Sequence, residues 1–257
     1  MASPRRDRFV LSICLIAVTA LAWAYLVRLD REMSAGMEHE MAMAAMGMAM
    51  RTPWTAADAA LAFLMWVAMM IGMMTPSAMP VLLLFSATAA ARQERGVPVS
   101  ALSFATGYLI VWAGFSLAAT LAQWGLHETA SLSASMRTSN GLLGGGILIA
   151  AGLYQLTPLK TACLAHCRSP LGFLMTGWRA GVAGAFRMGA HHGVYCLGCC
   201  WALTGVLFVV GVMNLLWVAL LGAIVLLEKI GPGGPHVARA GGAALVLAGI
   251  AVAVFGP

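Results

Sequence analysis

The sequence predicts an all-α protein, a polytopic helical bundle that crosses a membrane about seven times with its N-terminus in the cytoplasm. Three observations support this fold class. Hydrophobic residues make up 61% of the 257 positions and charged residues only 9%, against roughly 25% charged in a soluble domain. The mean hydropathy is +0.88. The 29 glycines suit closely packed membrane helices, because small residues let two helix backbones approach each other.

Seven apolar stretches each come close to the roughly 20 residues that one membrane crossing requires. The second stretch is longer, and we expect Pro76 and Pro80 to bend it. We also expect an interfacial helix at 170–188, because Arg179 at mid-membrane would cost about 2.5–3.5 kcal/mol. The chain would then divide into an anchor helix with an external loop (1–57) and a helical bundle (58–257). The predicted crossings are 9–27, 58–90, 101–124, 141–158, 194–212, 215–227 and 237–255.

Lysine and arginine near the ends of the spans indicate the orientation. Arg5, Arg6 and Arg8 precede the first span, which places the N-terminus in the cytoplasm. Four further lysines and arginines lie within 160–187, so this connection is also expected to be cytoplasmic. The bias is typical of a multi-pass protein of the bacterial cytoplasmic (inner) membrane. The net charge of +6 is accounted for by these connections, so the lipid bilayer is an expected partner and nucleic acid is not.

Two short motifs, CLAHC at 163–167 and HHGVYCLGCCW at 191–201, concentrate cysteine and histidine at the predicted cytoplasmic ends of spans four and five. Most of these side chains are three or four residues apart, so on a helix they share one face. The cytoplasm keeps thiols reduced, which favours metal binding or redox chemistry over a structural disulfide. Any single cysteine could be ordinary small-residue packing, but the clustering favours Cu(I), Zn(II) or iron. The predicted metal ligands are Cys163, His166, Cys167, His192, Cys196, Cys199 and Cys200.

Methionine dominates a segment that the charge bias places outside the membrane. Residues 33–50, MSAGMEHEMAMAAMGMAM, contain seven methionines and one histidine. Thioethers bind Cu(I) selectively and stay unprotonated, so we expect an external loop that captures copper. The alternative is a low-complexity linker on the bilayer surface, since alanine and methionine are good helix formers. The predicted capture residues are Met37, His39, Met41, Met43, Met46, Met48 and Met50.

A further group of methionines lies in span two, within MWVAMMIGMMTPSAMP. Their spacing places them on one side of a helix, close to Pro76, which frees backbone carbonyls. Such a stripe alone is explained slightly better by ordinary methionines that face the lipid or the core. Between external methionines and internal cysteines, it predicts a pathway for Cu(I) across the membrane. The predicted pathway residues are Met69, Met70, Met73 and Met74.

The runs WVAMMIGMMTPSAMP, YQLTPLKTACLAHCRSP and HGVYCLGCCWAL, followed by GVMNLLW and a Glu-Lys pair, cover spans two to six. In combination they resemble an uncharacterised bacterial family of predicted metal-binding integral membrane proteins. The resemblance implies a membrane-embedded metal site, with Lys160, Asn214 and Glu228 among its motif positions besides the cysteines. It does not extend to the methionine-rich segment 33–50.

Two charged residues, Glu228 and Lys229, end span six. Adjacent residues of a helix point in different directions, so we expect them to have different partners. Glu228 could approach Lys160 or orient a ligand histidine from behind. For Lys229 we expect an anchor that extends to the membrane interface.

These patterns predict a Cu(I)-handling protein, either an importer or a membrane metallochaperone, with a copper chaperone or an assembly factor of a copper enzyme as partner. One alternative is a membrane thiol–disulfide oxidoreductase that uses Cys196 and Cys199. Another is a membrane metalloenzyme with zinc or iron. The sequence contains no GxxxxGK[ST] and no DKTG-like motif, which excludes an ATP-driven pump of the usual kind. No general base other than Glu228 lies near the cluster, so binding or transport is favoured over catalysis and no catalytic residue is assigned.

Overall fold

The computed structural model describes residues 4–45, 54–128 and 141–256, with positions 4, 5, 7 and 35–45 described by their backbone alone. The described residues form ten helices and no strand, which confirms the all-helical class. The helices are α1 Pro4–Ala45, α2 Ala56–Ala91, α3 Val97–Glu128, α4 Gly141–Gln155, α5 Pro158–Arg168, α6 Pro170–Thr176, α7 Gly181–Gly205, α8 Leu207–Val210, α9 Leu215–Ile230 and α10 Gly234–Phe255.

Five helical stretches are long and apolar enough to cross a membrane: they lie in α1, α2, α3, α7 with α8, and α10. The pair α4 and α5, bent by 61°, becomes a sixth candidate if it is taken as one broken span. Helix α9 has 16 residues, fewer than the roughly 20 that one crossing needs. Within the described part of the chain, the predicted count of seven crossings is therefore not confirmed.

Helix α1 extends far beyond the predicted anchor. Its backbone remains helical to Ala45, so residues 33–45 continue the helix where a loop was expected. The high helix propensity of alanine and methionine explains the extension. Of the predicted capture residues, Met46, Met48 and Met50 lie outside the described residues, and Met37, His39, Met41 and Met43 are described by backbone only.

The interfacial helix expected at 170–188 is wrong in its extent. Helix α6 ends at Thr176, and α7 begins at Gly181 after a break. The break contains Arg179 and ends at Gly181, whose φ of +78° suits glycine, which has no Cβ. Since 181–188 belong to α7, the cysteines of the second motif lie in the middle of a long helix rather than at its cytoplasmic end.

Closely packed helix pairs form the frame of the bundle. Helix α3 meets α7 so closely that a Cβ on Gly189 would lie 1.9 Å from the carbonyl oxygen of Phe104. Helix α4 meets α10 in the same way, where a Cβ on Gly152 would lie 2.6 Å from the carbonyl oxygen of Gly242. Such small-residue contacts replace the hydrophobic effect as the source of helix association in lipid.

Two connections lie together at one end of the bundle. Trp178, in the break before α7, donates its indole N–H to Glu94 at 2.9 Å. Glu94 belongs to the short connection between α2 and α3 and also accepts from the backbone N–H of Gly181 at 3.4 Å. The ends of α2 and α6 and the starts of α3 and α7 therefore share one side of the molecule.

Candidate metal site

Four of the predicted ligands lie on one face of α7, inside the bundle. His192, Cys196, Cys199 and Cys200 are all buried. The thiols of Cys199 and Cys200 donate to the carbonyl oxygen of Cys196 at 3.1 and 2.8 Å. Tyr108 of α3 places its hydroxyl 3.1 Å from the Sγ of Cys196. Helix α7 thus presents three thiols to its neighbours α2, α5 and α9.

Met74 connects the methionines of α2 to these thiols. Its Sδ lies 3.8 Å from the Sγ of Cys200. The other stripe residues of α2 are also buried, and they share one hydrophobic cluster with Met74 and the cysteines. The methionine stripe therefore faces the interior of the protein and not the lipid. The buried stripe residues are Met65, Met69, Met70, Met73 and Met74.

Helix α5 brings the first motif to the same place. Thr157 caps its N-terminus by accepting from the backbone N–H of Lys160 at 3.2 Å, and a proline occupies its first turn. The bend between α4 and α5 directs Cys167 toward α7, where its Sγ lies 3.9 Å from the Sγ of Cys199. Cys163 lies against Gly198, where an added Cβ would be 2.8 Å from its Sγ. A second sulfur pair is thus formed between two helices.

The histidines form an aromatic layer beside the sulfur atoms. The ring of His166 stacks on Tyr195 with centroids 3.8 Å apart and lies 5.7 Å from the ring of His191. His192 stacks on Tyr108 at 5.8 Å, and its buried Nδ1 has no hydrogen-bond partner. In the part of the chain that the structure covers, no three His, Cys, Asp or Glu side chains are placed to hold a metal ion together. The site offers pairs of sulfur atoms, in contrast to the expected Cys/His cluster.

Lys229, which was expected at the membrane interface, lies against the cysteines. The ammonium of Lys229 donates to the Sγ of Cys196 at 2.9 Å and to the Oγ of Ser77 at 3.1 Å, and lies 4.0 Å from the Sγ of Cys200. The residue is only 7% exposed, so the expected interfacial anchor is wrong. In the last turn of α9, Glu228 and Lys229 point into the bundle, whereas Leu227 and Ile230 remain exposed. The sequence contained a signal for this inward position, because a lysine within an apolar run of a membrane helix indicates a functional residue.

Glu228 faces away from the thiols and pairs with Lys160. Their side chains form an ion pair of 2.5 Å in which both are 1% exposed. The second carboxylate oxygen accepts from Gln155 at 3.0 Å, and Arg168 donates to the backbone carbonyl of Glu228 at 2.7 Å. This buried pair therefore fastens α5 to α9 directly behind the sulfur atoms.

The fold and the site together define a class: a helical protein with helices of membrane-spanning length that gathers buried thiols and thioethers, as a soft-metal-handling protein does. Residues 63–252 match the copper chaperone family PpoB2, and the chain belongs to this family. The description of this family agrees with copper, the metal that the soft ligands predict. The motifs had suggested an uncharacterised metal-binding family, whereas the family that matches is a named one. The match excludes the methionine-rich segment 33–50. No curated protein and no solved structure matches the chain.

Proposed function

We propose that the protein is a membrane-embedded Cu(I) chaperone that holds the ion between pairs of sulfur atoms inside the helical bundle. The contacts of Cys200 with Met74 at 3.8 Å and of Cys199 with Cys167 at 3.9 Å carry this proposal. Thiols and thioethers are the ligands that select Cu(I). Because a metal–sulfur bond is about 2.3 Å long in protein sites, each pair would need to open only slightly to place an ion between its members.

The two pairs lie in sequence along one route. The buried methionines of α2 lead to Met74, which contacts a thiol of α7, and the neighbouring thiol of α7 contacts Cys167 of α5. A thiolate holds Cu(I) more tightly than a thioether does, so affinity favours movement from the methionines toward the cysteines. With the connection that precedes α7 on the cytoplasmic side of an inner membrane, α2 runs inward from its first methionines to Met74, and this order corresponds to copper import and delivery to a cytoplasmic partner.

Metal content tests the central step. The full-length protein in detergent, kept reduced and loaded with Cu(I), is expected to bind at least about one copper per chain. The double variant Cys167→Ser, Cys199→Ser should lose most of this copper, because a hydroxyl is a poor ligand for a soft ion. Cys14→Ser is the matched control, since Cys14 is exposed on α1, far along the chain from either motif. Unchanged copper in the double variant, measured by elemental analysis, would refute the proposal.

The methionine-rich segment 33–50 is proposed to capture copper at low concentration. Replacing its seven methionines by leucine keeps helix propensity while removing every thioether. Copper uptake by cells should then fall when copper is limiting and remain normal when copper is abundant. If the variant took up as much copper as the wild-type protein at both concentrations, the segment would be a linker.

A thiol–disulfide oxidoreductase is the second candidate, with a different cysteine pair from the one that the sequence suggested. The thiol of Cys199 donates to the carbonyl of Cys196, whereas its sulfur contact is to Cys167. Oxidation would join the sulfurs of Cys167 and Cys199, releasing two protons and passing two electrons to an acceptor such as a quinone. Alkylation of whole cells followed by mass spectrometry should recover this disulfide if the redox function operates, and two free thiols if the chaperone function does.

A further inference from the structure

Ligand type alone leaves the choice of metal open at this site. Thiolates bind Zn(II) as well as Cu(I), and selectivity in such sites depends on geometry and surroundings. The surroundings here include one charged group in contact with the sulfur atoms. The ammonium nitrogen of Lys229 lies 2.9 Å from the Sγ of Cys196 and 4.0 Å from the Sγ of Cys200.

The positive charge of Lys229 is not neutralised by a carboxylate in the described part of the chain. The ion pairs found there are Arg28–Glu32 and Lys160–Glu228. The neighbouring carboxylate of Glu228 is occupied on both oxygens, by Lys160 and by Gln155. Because no carboxylate in this part of the chain offsets the buried ammonium, any further positive charge placed beside it is unfavourable.

We propose that Lys229 is a specificity-determining residue that makes the sulfur site prefer a monovalent soft cation to a divalent one. The inference rests on the proposed Cu(I) function and names the device that would select this ion. The pair nearest the ammonium is the thiolate of Cys200 with the thioether of Met74, and this pair is neutral overall when it holds Cu(I). The same pair holding a divalent ion carries one net positive charge beside the buried ammonium, which is unfavourable in an apolar interior.

The distances make this effect large. The ammonium nitrogen lies 4.0 Å from the Sγ of Cys200, so a metal–sulfur bond of about 2.3 Å keeps an ion bound to Cys200 within about 6.3 Å of that nitrogen. At one position, repulsion from a fixed charge is twice as strong for a divalent as for a monovalent ion. The ammonium also favours the thiolate form of a neighbouring cysteine. When the same sulfur atoms bind both metals, this contribution is equal for the two and cancels from the ratio of their affinities.

Measured affinities for the two metals test the proposal. The full-length protein and its variants, reduced and in detergent, are titrated with Cu(I) alone and with Zn(II) alone against chelators of known affinity. In Lys229→Met, the ratio of the two affinities should shift toward Zn(II) by at least about tenfold. Lys229→Arg keeps the charge and should keep the ratio. The matched control Lys160→Met, Glu228→Gln removes a buried pair of zero net charge and should also leave the ratio unchanged.

A second variant keeps the test independent of the folding of Lys229→Met. Ser77→Asp retains the lysine and places a carboxylate beside its ammonium, which lies 3.1 Å from the Ser77 hydroxyl. It should shift the ratio toward Zn(II) in the same direction. Unchanged ratios in folded Lys229→Met or in Ser77→Asp would overturn the specificity role while leaving the copper function intact. Failure of the wild-type protein to bind Cu(I) would overturn both.

Discussion

Met74 is the residue at which a thioether from α2 meets a thiol from α7. Its neighbour along the same route, Cys199, meets a thiol from α5 instead. Both contacts occur inside one hydrophobic cluster, where sulfur side chains also serve as ordinary packing atoms. Substitutions that preserve volume can therefore separate the chemistry of the sulfur from its contribution to packing.

Met74→Leu makes this separation. Methionine and leucine have similar volumes, so the loss of stability should stay below about 1.5 kcal/mol, while bound Cu(I) falls because the thioether is gone. Met188→Leu is the control, since Met188 is equally buried but belongs to the second hydrophobic cluster. Elemental analysis and thermal unfolding in detergent measure the two effects. Equal copper content in the two variants would remove Met74 from the pathway.

At the scale of elements, the position of α7 depends on two kinds of contact. Glycines bring α3 against it, and the bend between α4 and α5 carries a thiol to its opposite side. Helix α9 is held in turn by the pair Lys160–Glu228. The sulfur atoms meet only if each of these helices keeps its rotation and depth, so mutations remote from the cysteines should affect the site.

Gly189→Ala tests the contact between α3 and α7. Its Cβ would lie 1.9 Å from the backbone carbonyl oxygen of Phe104, and backbone cannot rotate away, so we expect a loss of about 1–3 kcal/mol or more. Gly114→Ala on α3 is the control, because nothing lies within 4 Å of its added Cβ. There alanine should stabilise the helix by up to about 1 kcal/mol. Thermal unfolding that ranks the two variants in the opposite order would contradict this packing.

Lys160→Met tests the link between α5 and α9. It leaves the Glu228 carboxylate buried without its cation, which should cost about 3–5 kcal/mol. Adding Glu228→Gln removes the charge, and the double variant should recover most of the lost stability. Thermal unfolding of the single and double variants gives the answer. An equally large loss in both would show that the pair is not a buried ion pair of this strength.

At the scale of the whole molecule, the helices arrange their connections on two sides. Glu94 bonds to Trp178 and Gly181, so the connection after α2 and the break before α7 share one side, and α3 leads away from it to Glu128. The basic residues of the sequence predict that the first side faces the cytoplasm. This orientation determines whether copper reaches the cysteines from outside the cell or from within it.

Labelling of single cysteines tests the orientation. In a Cys14→Ser background, Gln93→Cys and Gly177→Cys should react with a membrane-impermeant maleimide only after the inner membrane is opened. Glu128→Cys, at the far end of α3, should react in intact cells with a permeable outer membrane. The parent Cys14→Ser protein controls for reaction at the remaining cysteines, of which four are buried. Labelling of all three positions from the same side would contradict a membrane-spanning bundle.

The sequence alone determined the all-helical class and the two cysteine motifs, and it predicted a role with copper, because hydropathy, helical spacing and ligand type are properties of neighbouring residues. It could not determine which side chains meet across helices. The bend that brings Cys167 to Cys199, the start of α7 at Gly181 and the burial of Lys229 all depend on how separate helices rotate, bend and end against one another. Those features arise from packing between residues far apart in the chain, and only the tertiary structure decided them.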